Sequence, residues 1–389
     1  MLSQEILDHA LLGKEISREE AYALMQSSNA DQLCELAYRI KKGKKSNIVT
    51  YSRKIFIPLT NLCRDTCSYC TYKREPSDPK AVMMKPEQVL EIAERGKKAR
   101  CTEALFMTGE RPEQRYDEAR QWLKSLGYSS TIEYVTHMSE LVLKKTGLLP
   151  HTNPGNMTKE EMVELKQSNP SLGMMLENVS ERLCSKGMPH ELAPSKNPKV
   201  RLKTIENAGQ LKIPFTTGLL VGIGETLYEL VDSLFAIKEL HAKYGHIQEV
   251  IIQNFSPKPD TPMALAPTPT LTYMLKAVAI ARIIMPDMNI QVPPNLNPTH
   301  YNRYLNAGIN DWGGISPLTI DHVNPEFPWP RIDDVKSATE QNGFVLKARL
   351  PVYPEYINKD FLSDKMLEHV AVLADEHGLV KEEYLNERS

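Results

Sequence analysis

Short apolar runs that alternate with longer amphipathic stretches constrain the fold of this chain more than any other feature of its sequence. Eight such runs occur after residue 50, at 54–59, 103–108, 148–153, 172–178, 215–221, 249–255, 289–293 and 311–315. Stretches with helical periodicity separate them, for example 86–99, 159–167, 199–211 and 226–244. Strands that alternate with helices pair in parallel through right-handed crossovers, and eight such units predict a closed (β/α)8 barrel of the TIM type. An open doubly wound sheet is the alternative that the same pattern permits.

Polar and glycine residues stand at or just after the ends of the first seven predicted strands. In chain order they are Asn61, Thr108, Gly109, Glu110, His151, Asn153, Asn156, Glu177, Asn178, Gly222, Gly224, Glu225, Asn254, Asn295 and Asn297. Because the carboxyl ends of barrel strands meet at one face, we expect these residues to form a rim around a shared cavity.

The predicted barrel spans residues 49–320, between a helical N-terminal extension, 1–48, and a proline-containing C-terminal extension, 321–389, that packs on the barrel. Residues 4–40 predict two helices, of which the second begins at Ser17 with a capping box completed by Glu20. The basic run 41–45 predicts a solvated linker rather than a nucleic-acid-binding patch.

Charge and hydropathy exclude several functional classes. The chain has 389 residues with 47 basic and 49 acidic side chains, so its near-neutral charge gives no reason to expect a nucleic-acid partner. It contains no apolar run of the ~18 residues that span a bilayer, and its N-terminus lacks the apolar core of a signal peptide. We therefore expect a cytoplasmic protein without a membrane partner.

Three of the six cysteines are clustered, and their spacing points to metal chemistry. Cys63, Cys67 and Cys70 form a C-x3-C-x2-C pattern directly after the first predicted strand. A structural zinc site would need a fourth ligand, which only a distant His137 or His151 could supply. A redox dithiol of Cys67 and Cys70 would leave Cys63 unexplained. A [4Fe–4S] cluster suits the trio, because thiolates are its usual ligands and one iron would stay open for a small molecule.

The cysteine pattern, with Tyr69 before its last cysteine, resembles the signature of the radical S-adenosylmethionine superfamily. The resemblance implies one [4Fe–4S] cluster held by three cysteines and an open iron that binds the methionyl amine and carboxylate of S-adenosylmethionine. It also implies an external electron donor, whose electron cleaves the sulfonium and releases a 5′-deoxyadenosyl radical.

Further segments resemble the cofactor-binding motifs of that superfamily. Thr108-Gly109-Glu110 resembles the motif that binds the methionyl amine, with threonine in place of its first glycine. The resemblance places Glu177 as the acceptor for ribose hydroxyls and Arg201 as the partner of the methionyl carboxylate, to which a guanidinium fork is suited.

The adenine site is the last part of the cofactor that the resemblance assigns. Residues 218–225, which contain Gly222 and Gly224, resemble the superfamily's glycine-rich adenine motif. Glycine there lets the backbone approach a flat ring closely. Tyr69 is placed where it could cover the edge of the adenine.

Longer segments between residues 50 and 350 resemble the CofG-type subunit of 7,8-didemethyl-8-hydroxy-5-deazariboflavin synthase. They include TNLCRDTCSYCTYKREPSDPKA, FMTGERPEQRY, KKTGLLPHTNPGNMT and WGGISPLTIDHVNPEFPWP. The resemblance implies that the enzyme cyclises 5-amino-5-(4-hydroxybenzyl)-6-(D-ribitylimino)-5,6-dihydrouracil with loss of ammonia. A separate CofH-type partner enzyme would supply this tyrosine-derived ribityluracil adduct, and the reaction belongs to deazaflavin coenzyme biosynthesis.

Other functions share parts of this pattern. A CofH-type transferase or a futalosine-pathway radical enzyme would have the same barrel and cysteines. A non-catalytic iron–sulfur or zinc-binding protein would have no need of Glu177, Arg201 or the glycine-rich end of the fifth strand.

The implied substrate is rich in hydroxyl and amide groups, which asparagine can pair both as a donor and as an acceptor. Asn153, Asn254 and Asn297 are therefore the candidate substrate-binding residues. Ring closure and ammonia loss require proton movement, and imidazole titrates near neutrality. His137 and His151 are the candidate catalytic residues.

Overall fold

A closed barrel of parallel strands forms the centre of the computed structural model, which describes residues 4–26 and 29–386. All eight predicted strands are present. The barrel strands are β1 (Ile48–Thr60), β2 (Glu103–Thr108), β3 (Leu149–Asn153), β4 (Ser171–Gly173), β5 (Phe215–Val221), β6 (Ile247–Asn254), β7 (Ile290–Gln291) and β8 (Asp311–Ile315). Each pairs in parallel with the next, and β1 pairs with both β2 and β8. This closure excludes the open doubly wound sheet.

Helices follow the strands and cover the outside of the barrel. They are α4 (Pro86–Lys98), α5 (Asp117–Ser125), α6 (Thr131–Thr146), α7 (Lys159–Lys166), α8 (Pro198–Gln210), α9 (Leu227–Tyr244), α10 (Leu271–Ile284) and α11 (Ile332–Gln341). Three helices precede the barrel: α1 (Gln4–Leu11), α2 (Arg18–Gln26) and α3 (Ala30–Lys44). Two more come after α11: α12 (Asp364–Leu373) and α13 (Glu382–Asn386).

A ninth strand, β9 (Val345–Arg349), comes from the predicted C-terminal extension. It pairs in parallel with the first half of β1, from Ile48 opposite Val345 to Ser52 opposite Arg349. The second half of β1, from Lys54 onward, pairs with β2 instead. The extension therefore joins the sheet, in addition to packing on it.

The chain after β9 closes the barrel at the amino ends of its strands. The carbonyl oxygen of Pro351 accepts hydrogen bonds from Ser171 Oγ at 2.6 Å and Gln248 Nε2 at 3.0 Å. The Tyr356 hydroxyl donates to the carbonyl oxygen of Ile247 at 2.9 Å. Because Ser171 and Ile247 are the first residues of β4 and β6, this segment lies under the barrel.

The N-terminal extension agrees with the prediction in one respect and differs from it in another. The capping box is confirmed, since Glu20 N–H donates to Ser17 Oγ at 3.1 Å and Ser17 N–H to Glu20 Oε2 at 2.7 Å. The structure has three helices there rather than two, because Asn29 accepts a hydrogen bond from Gln32 N–H and starts a further helix. Residues 1–3, 27, 28 and 387–389, which belong to the two predicted extensions, lie outside the described residues.

The basic run 41–45 does not form the predicted linker. Its first four residues complete the last turn of α3, which packs on α10. The Lys41 side chain is fully buried, with Nζ 3.2 Å from the centroid of the Phe344 ring. Long aliphatic stems let lysine cover apolar surface, which explains how a basic run can end a packed helix. No helix in the described part of the chain is both long and apolar enough to span a membrane.

Candidate active site

A cavity of about 380 Å³ extends through the barrel from the cysteine loop towards the amino ends of the strands. Both ends of β2 contribute to its wall, Glu103 at the start and Thr108 at the finish. Five residues of strand span about 16 Å, so the cavity is deep. TIM barrels usually fill this space with apolar side chains, and an open interior therefore indicates a binding site.

The three clustered cysteines lie together at the carboxyl end of the barrel. Cys63, Cys67 and Cys70 are free, partly buried and on the cavity wall. The loop that carries them is fixed to the residues before α8, since Thr66 N–H donates to Leu192 O at 2.8 Å and Ser68 N–H to Pro189 O at 2.9 Å.

The surroundings of the thiols fit a metal–sulfur cluster. Burial raises the pKa values of Cys63 and Cys67 to about 12, so both stay protonated unless a cation replaces the proton. The backbone N–H of Glu110 points at Cys63 Sγ, 3.2 Å away, where it would stabilise a thiolate. In the described residues no three His, Cys, Asp or Glu side chains converge tightly enough to hold a single metal ion.

The end of β2 meets the cysteine loop without an intervening side chain. A Cβ added to Gly109 would lie 1.9 Å from the carbonyl oxygen of Leu62 and 2.8 Å from Cys63 Cβ. Gly109 N–H donates to Thr60 O at 2.8 Å, and Arg64 N–H donates to Glu110 O at 2.9 Å. Glycine at 109 is therefore required to hold the first cysteine against β2.

Two polar groups beside this contact are buried and have no hydrogen-bond partner among the described residues. They are Thr108 Oγ1 and Glu110 Oε1, and both residues line the cavity. The second oxygen of Glu110 accepts from the backbone N–H of Asn156 at 3.0 Å. Burial raises the pKa of Glu110. Buried polar atoms without partners are rare in folded proteins, and here both belong to residues that line the cavity beside the cysteines.

Glu177, Lys196 and Arg201 form a charged wall on the other side of the cysteine loop. Lys196 Nζ lies 2.5 Å from Glu177 Oε1. Burial raises the pKa of Glu177, but Lys196 and Arg201 outweigh that effect and lower the pKa below its usual value. Arg201 Nε donates to Ser195 O at 3.1 Å, and Nη1 donates to Met175 O. The remaining Nη2 has no hydrogen-bond partner in the described chain, so it is free to bind an anion.

Tyr69 lies on the cavity wall beside a histidine that the sequence analysis did not single out. Its hydroxyl is 3.0 Å from His190 Nε2, and the two rings meet edge to face at 5.6 Å. Burial lowers the pKa of His190 to about 3, so the imidazole is neutral at pH 7.

Gly222 and Gly224 have φ values of +98° and +104°, which favour glycine, and they turn the chain at the end of β5. Gly222 N–H donates to Glu225 Oε1 at 2.8 Å, and Glu225 Oε2 is buried without a partner among the described residues. Neither glycine lines the main cavity. They lie just beyond it, past Leu220, which does.

Only one of the two predicted catalytic histidines faces the cavity. His151 on β3 lines it, with Nδ1 2.6 Å from Ser171 Oγ, and burial lowers its pKa to about 4. His137 is exposed on the outer face of α6, where Nδ1 contacts Glu133 O at 3.1 Å. The buried face of that helix carries Tyr134 and Met138, so helical periodicity directs His137 away from the barrel.

The predicted substrate-binding asparagines are divided in a similar way. Asn153 and Asn254 line the cavity. Asn297 does not, but its Nδ2 donates to Asn254 Oδ1 at 2.8 Å and so orients that amide.

The sequence alone did not single out the polar residues at the deep end of the cavity, four of which are charged. These are Lys54, Glu103, Glu249, Gln291 and Arg349. Glu103 and Glu249 could have been noticed, because each is a charged residue that begins an otherwise apolar predicted strand. Arg349 gave none, because it belongs to the predicted C-terminal extension.

Comparison with known proteins gives consistent results. The family model described as the radical SAM superfamily matches residues 57–237. A 7,8-didemethyl-8-hydroxy-5-deazariboflavin synthase from Methanopyrus kandleri is 51% identical over 334 residues, which cover 86% of this chain and 100% of that protein. An FO synthase from Streptomyces coelicolor is 46% identical over 393 residues, covering 97% of this chain but 45% of that protein. The crystal structure of the FeFe-hydrogenase maturase HydG from Carboxydothermus hydrogenoformans has the same fold, with a TM-score of 0.73 and 18% identity over 96% of this chain and 86% of that one.

Proposed function

This chain belongs to the radical S-adenosylmethionine superfamily and, within it, to the 7,8-didemethyl-8-hydroxy-5-deazariboflavin synthases, and from this we propose which residues carry its reaction. It is a radical S-adenosylmethionine enzyme. Its reaction is the cyclisation of the tyrosine-derived ribityluracil adduct, with loss of ammonia, to the deazaflavin. The observation that carries the proposal is one cavity that holds three thiols at one end and ends in polar groups at the other.

The cofactor of this superfamily fits the residues present. Cys63, Cys67 and Cys70 would hold three irons of a [4Fe–4S] cluster and leave the fourth open. When bound, the cluster and S-adenosylmethionine supply a 5′-deoxyadenosyl radical that removes a hydrogen atom from the substrate. The Glu110 N–H directed at Cys63 Sγ would stabilise the thiolate and so tune the potential of the cluster.

The unpartnered groups around the thiols would bind S-adenosylmethionine. Glu110 Oε1 and Thr108 Oγ1 suit the methionyl amine, because neither accepts a hydrogen bond from the described residues. Arg64 Nη2 and Arg111 Nε lie 3.8 Å from Glu110 Oε1, within ion-pair range but beyond a hydrogen bond. The free Nη2 of Arg201 suits the methionyl carboxylate. Glu177, held ionised by Lys196, would accept hydrogen bonds from ribose hydroxyls. Tyr69 would cover the edge of the adenine, and Gly222 and Gly224 would let the backbone approach it.

The substrate would lie deeper in the barrel, between the cofactor and the amino ends of the strands. Asn153 and Asn254 would pair with its polar edges, and Asn297 would act by orienting Asn254. His151 is neutral at physiological pH, so it can accept a proton or a hydrogen bond from the substrate. His137 has no part in this site.

The source of the substrate is a separate question from its cyclisation. The Streptomyces FO synthase is about twice as long as the part that this chain matches, because the match covers 45% of it. We propose that a CofH-type partner polypeptide makes the adduct for this chain, and that an external donor supplies electrons.

A cysteine variant tests the radical chemistry. Cys70→Ala, reconstituted anaerobically with iron and sulfide beside wild type, should contain less iron and form no 5′-deoxyadenosine after reduction. Cys34→Ala, which removes a single thiol of α3 away from the site, is the matched control and should behave as wild type. If Cys70→Ala still cleaves S-adenosylmethionine, the assignment of the cluster ligands is wrong.

A coupled assay tests the substrate. Wild type supplied with the product of a CofH-type enzyme should generate the fluorescence of the deazaflavin. If 5′-deoxyadenosine forms but no fluorescence appears, the radical chemistry stands and the substrate assignment fails.

A further inference from the structure

The deep end of the cavity, farthest from the cysteines, is lined by charged side chains. Lys54 of β1, Glu103 of β2, Glu249 of β6, Gln291 of β7 and Arg349 of β9 line it, and we call these five residues the floor. Lys54 is paired with Glu103, the first residue of β2, and Gln291 with Asp311, the first residue of β8, so they lie at the level where the barrel strands begin. The floor therefore lies at the opposite end of the cavity from the cysteines.

Ion pairs hold the floor in place. Lys54 Nζ lies 2.9 Å from Glu103 Oε1. Arg349 binds Glu249 Oε2 at 2.8 Å and both oxygens of Asp311, at 2.6 and 3.0 Å. The side chains of Arg349, Glu249 and Asp311 are at most 4% exposed. Burying charges in this way costs more than apolar packing would, so stability alone does not account for the floor.

Two consecutive glycines make room for this arrangement. A Cβ on Gly314 would lie 1.7 Å from Lys54 Cε, and a Cβ on Gly313 would lie 2.0 Å from Gln291 Nε2. Strand β8 thus presents no side chain where these two residues cross the barrel interior. Because these two positions of β8 carry no side chain, the long polar side chains of Lys54 and Gln291 can reach the cavity.

The floor carries no excess positive charge. Its two cations, Lys54 and Arg349, are matched by the carboxyl groups of Glu103 and Glu249, and Arg349 also binds Asp311 beside the floor. Burial raises the pKa of Glu249 to about 7, so the floor together with Asp311 stays close to neutrality. A site of this kind offers paired donors and acceptors but has no excess positive charge to bind a phosphate.

The wall above the floor is of a different kind. Phe56 and Trp329 both line the cavity and stack on each other, with ring centroids 5.2 Å apart and planes 12° apart. Leu105, Met107 and Phe255 also line this part. An apolar, partly aromatic wall suits flat rings, whereas the floor does not.

We propose that the floor binds the uncharged ribityl chain of the substrate and so places its rings against the upper wall, towards the cysteines. This inference rests on the proposed function, since it assigns one end of that substrate. Each hydroxyl of a polyol donates one hydrogen bond and accepts others, and the floor supplies carboxylates and cations in alternation for both roles. Lys54 and Glu103 are the specificity-determining pair, because Arg349 is already saturated by two carboxylates and a carbonyl.

Three fluorescent probes test this on the reconstituted wild-type enzyme. They are the deazaflavin product, its ester with phosphate at the end of the ribityl chain, and an analogue with methyl in place of ribityl. Binding is followed by fluorescence anisotropy in the presence of S-adenosylmethionine without reductant. The product should bind at least tenfold more tightly than either of the other two. The phosphate ester would bring negative charge to the floor, and the methyl analogue has no ribityl chain to bind there.

A paired variant locates the effect on the floor. Lys54→Met with Glu103→Gln removes both charges together, so that no buried ion is left unpaired. It should weaken binding of the product at least tenfold and leave binding of the methyl analogue unchanged. Lys347→Met with Glu382→Gln removes an ion pair from the outer surface and should alter neither.

The outcomes separate the two proposals. If wild type makes and binds the deazaflavin but binds the phosphate ester equally well, the ribityl chain does not lie on the floor and the inference is wrong while the function stands. The same conclusion follows if the paired variant weakens the binding of the product and of the methyl analogue by the same factor. If wild type neither makes nor binds the deazaflavin, the proposed function fails and the inference fails with it. The wild-type probe series decides the question even if the variant does not fold.

Discussion

Gly109→Ala offers a direct test of the contact between β2 and the cysteine loop. The added Cβ would lie 1.9 Å from the carbonyl oxygen of Leu62. A carbon–oxygen contact settles at about 3.3 Å, so the loop would have to move by roughly 1.4 Å. The obstacle is backbone flanked by Cys63 Cβ at 2.8 Å, so no flexible side chain can yield instead. Gly109 does not adopt a left-handed φ, which means that the substitution tests this contact alone.

The displacement should have two measurable effects. Overpacking of this kind costs about 1–3 kcal/mol, which a lower urea midpoint would show. A shift of about 1 Å in a reacting group can cost about a hundredfold in rate, so formation of 5′-deoxyadenosine should fall by about that factor. Iron content after reconstitution should fall as well, because Cys63 would leave its position.

The control for this experiment is Gly43→Ala in α3. A Cβ at Gly43 would meet nothing within 4 Å, so that variant should keep its iron and its activity and become slightly more stable. If Gly109→Ala matched wild type in iron content, turnover and unfolding midpoint, the argument that β2 positions the first cysteine would be refuted.

Three further changes test other parts of the structure. Arg201→Lys should raise KM for S-adenosylmethionine at least about tenfold, since the guanidinium fork is lost, whereas Lys203→Arg on the same helix should not; equal KM values would contradict the carboxylate role. Burial lowers the pKa of His246 to about 4, so acid favours its unfolded, protonated form. The unfolding free energy should thus fall between pH 6.5 and 4, and His246→Asn should flatten that fall by up to about 3 kcal/mol in urea titrations. Burial lowers the pKa of Lys41 to about 6, so folding displaces its proton at neutral pH; Lys41→Met should stabilise the protein by about 1–3 kcal/mol at pH 7 and by less at pH 9, and destabilisation at both would refute this.

The barrel could be predicted because its signal is local. Each strand forms a short apolar run between helical stretches, and handedness then leaves few ways to connect eight parallel units. β9 carried no such signal. Its sequence, VLKAR, follows a helix in a region rich in proline, and its partner is the first half of β1. Pairing between distant segments is decided by packing that a single sequence does not display.

The same distinction between local and distant signals applies to the residues of the site. The cysteines lie within eight residues on one loop, so their spacing alone indicated what they can hold. The floor is assembled from side chains on five strands, and in the sequence each is an ordinary polar or charged residue that nothing links to the others until the barrel closes. His137 was chosen for its residue type, and the periodicity of α6, which excludes it from the cavity, became visible only once the boundaries of that helix were known.

Strand β1 pairs with both β2 and β9, and this affects the order in which the barrel can fold while the chain is synthesised. β1 is synthesised before the rest of the barrel, whereas its partner β9 and the segment around Pro351 follow only after β8. Until then β1 keeps an open edge, and the interior of the barrel is open to water from below. Contacts so far apart in sequence form slowly, which gives other strands the opportunity to pair at that edge. We therefore expect chains that end before β9 to be prone to aggregation, and the binding cavity to be closed at its deep end only once β9 and the segment after it are present.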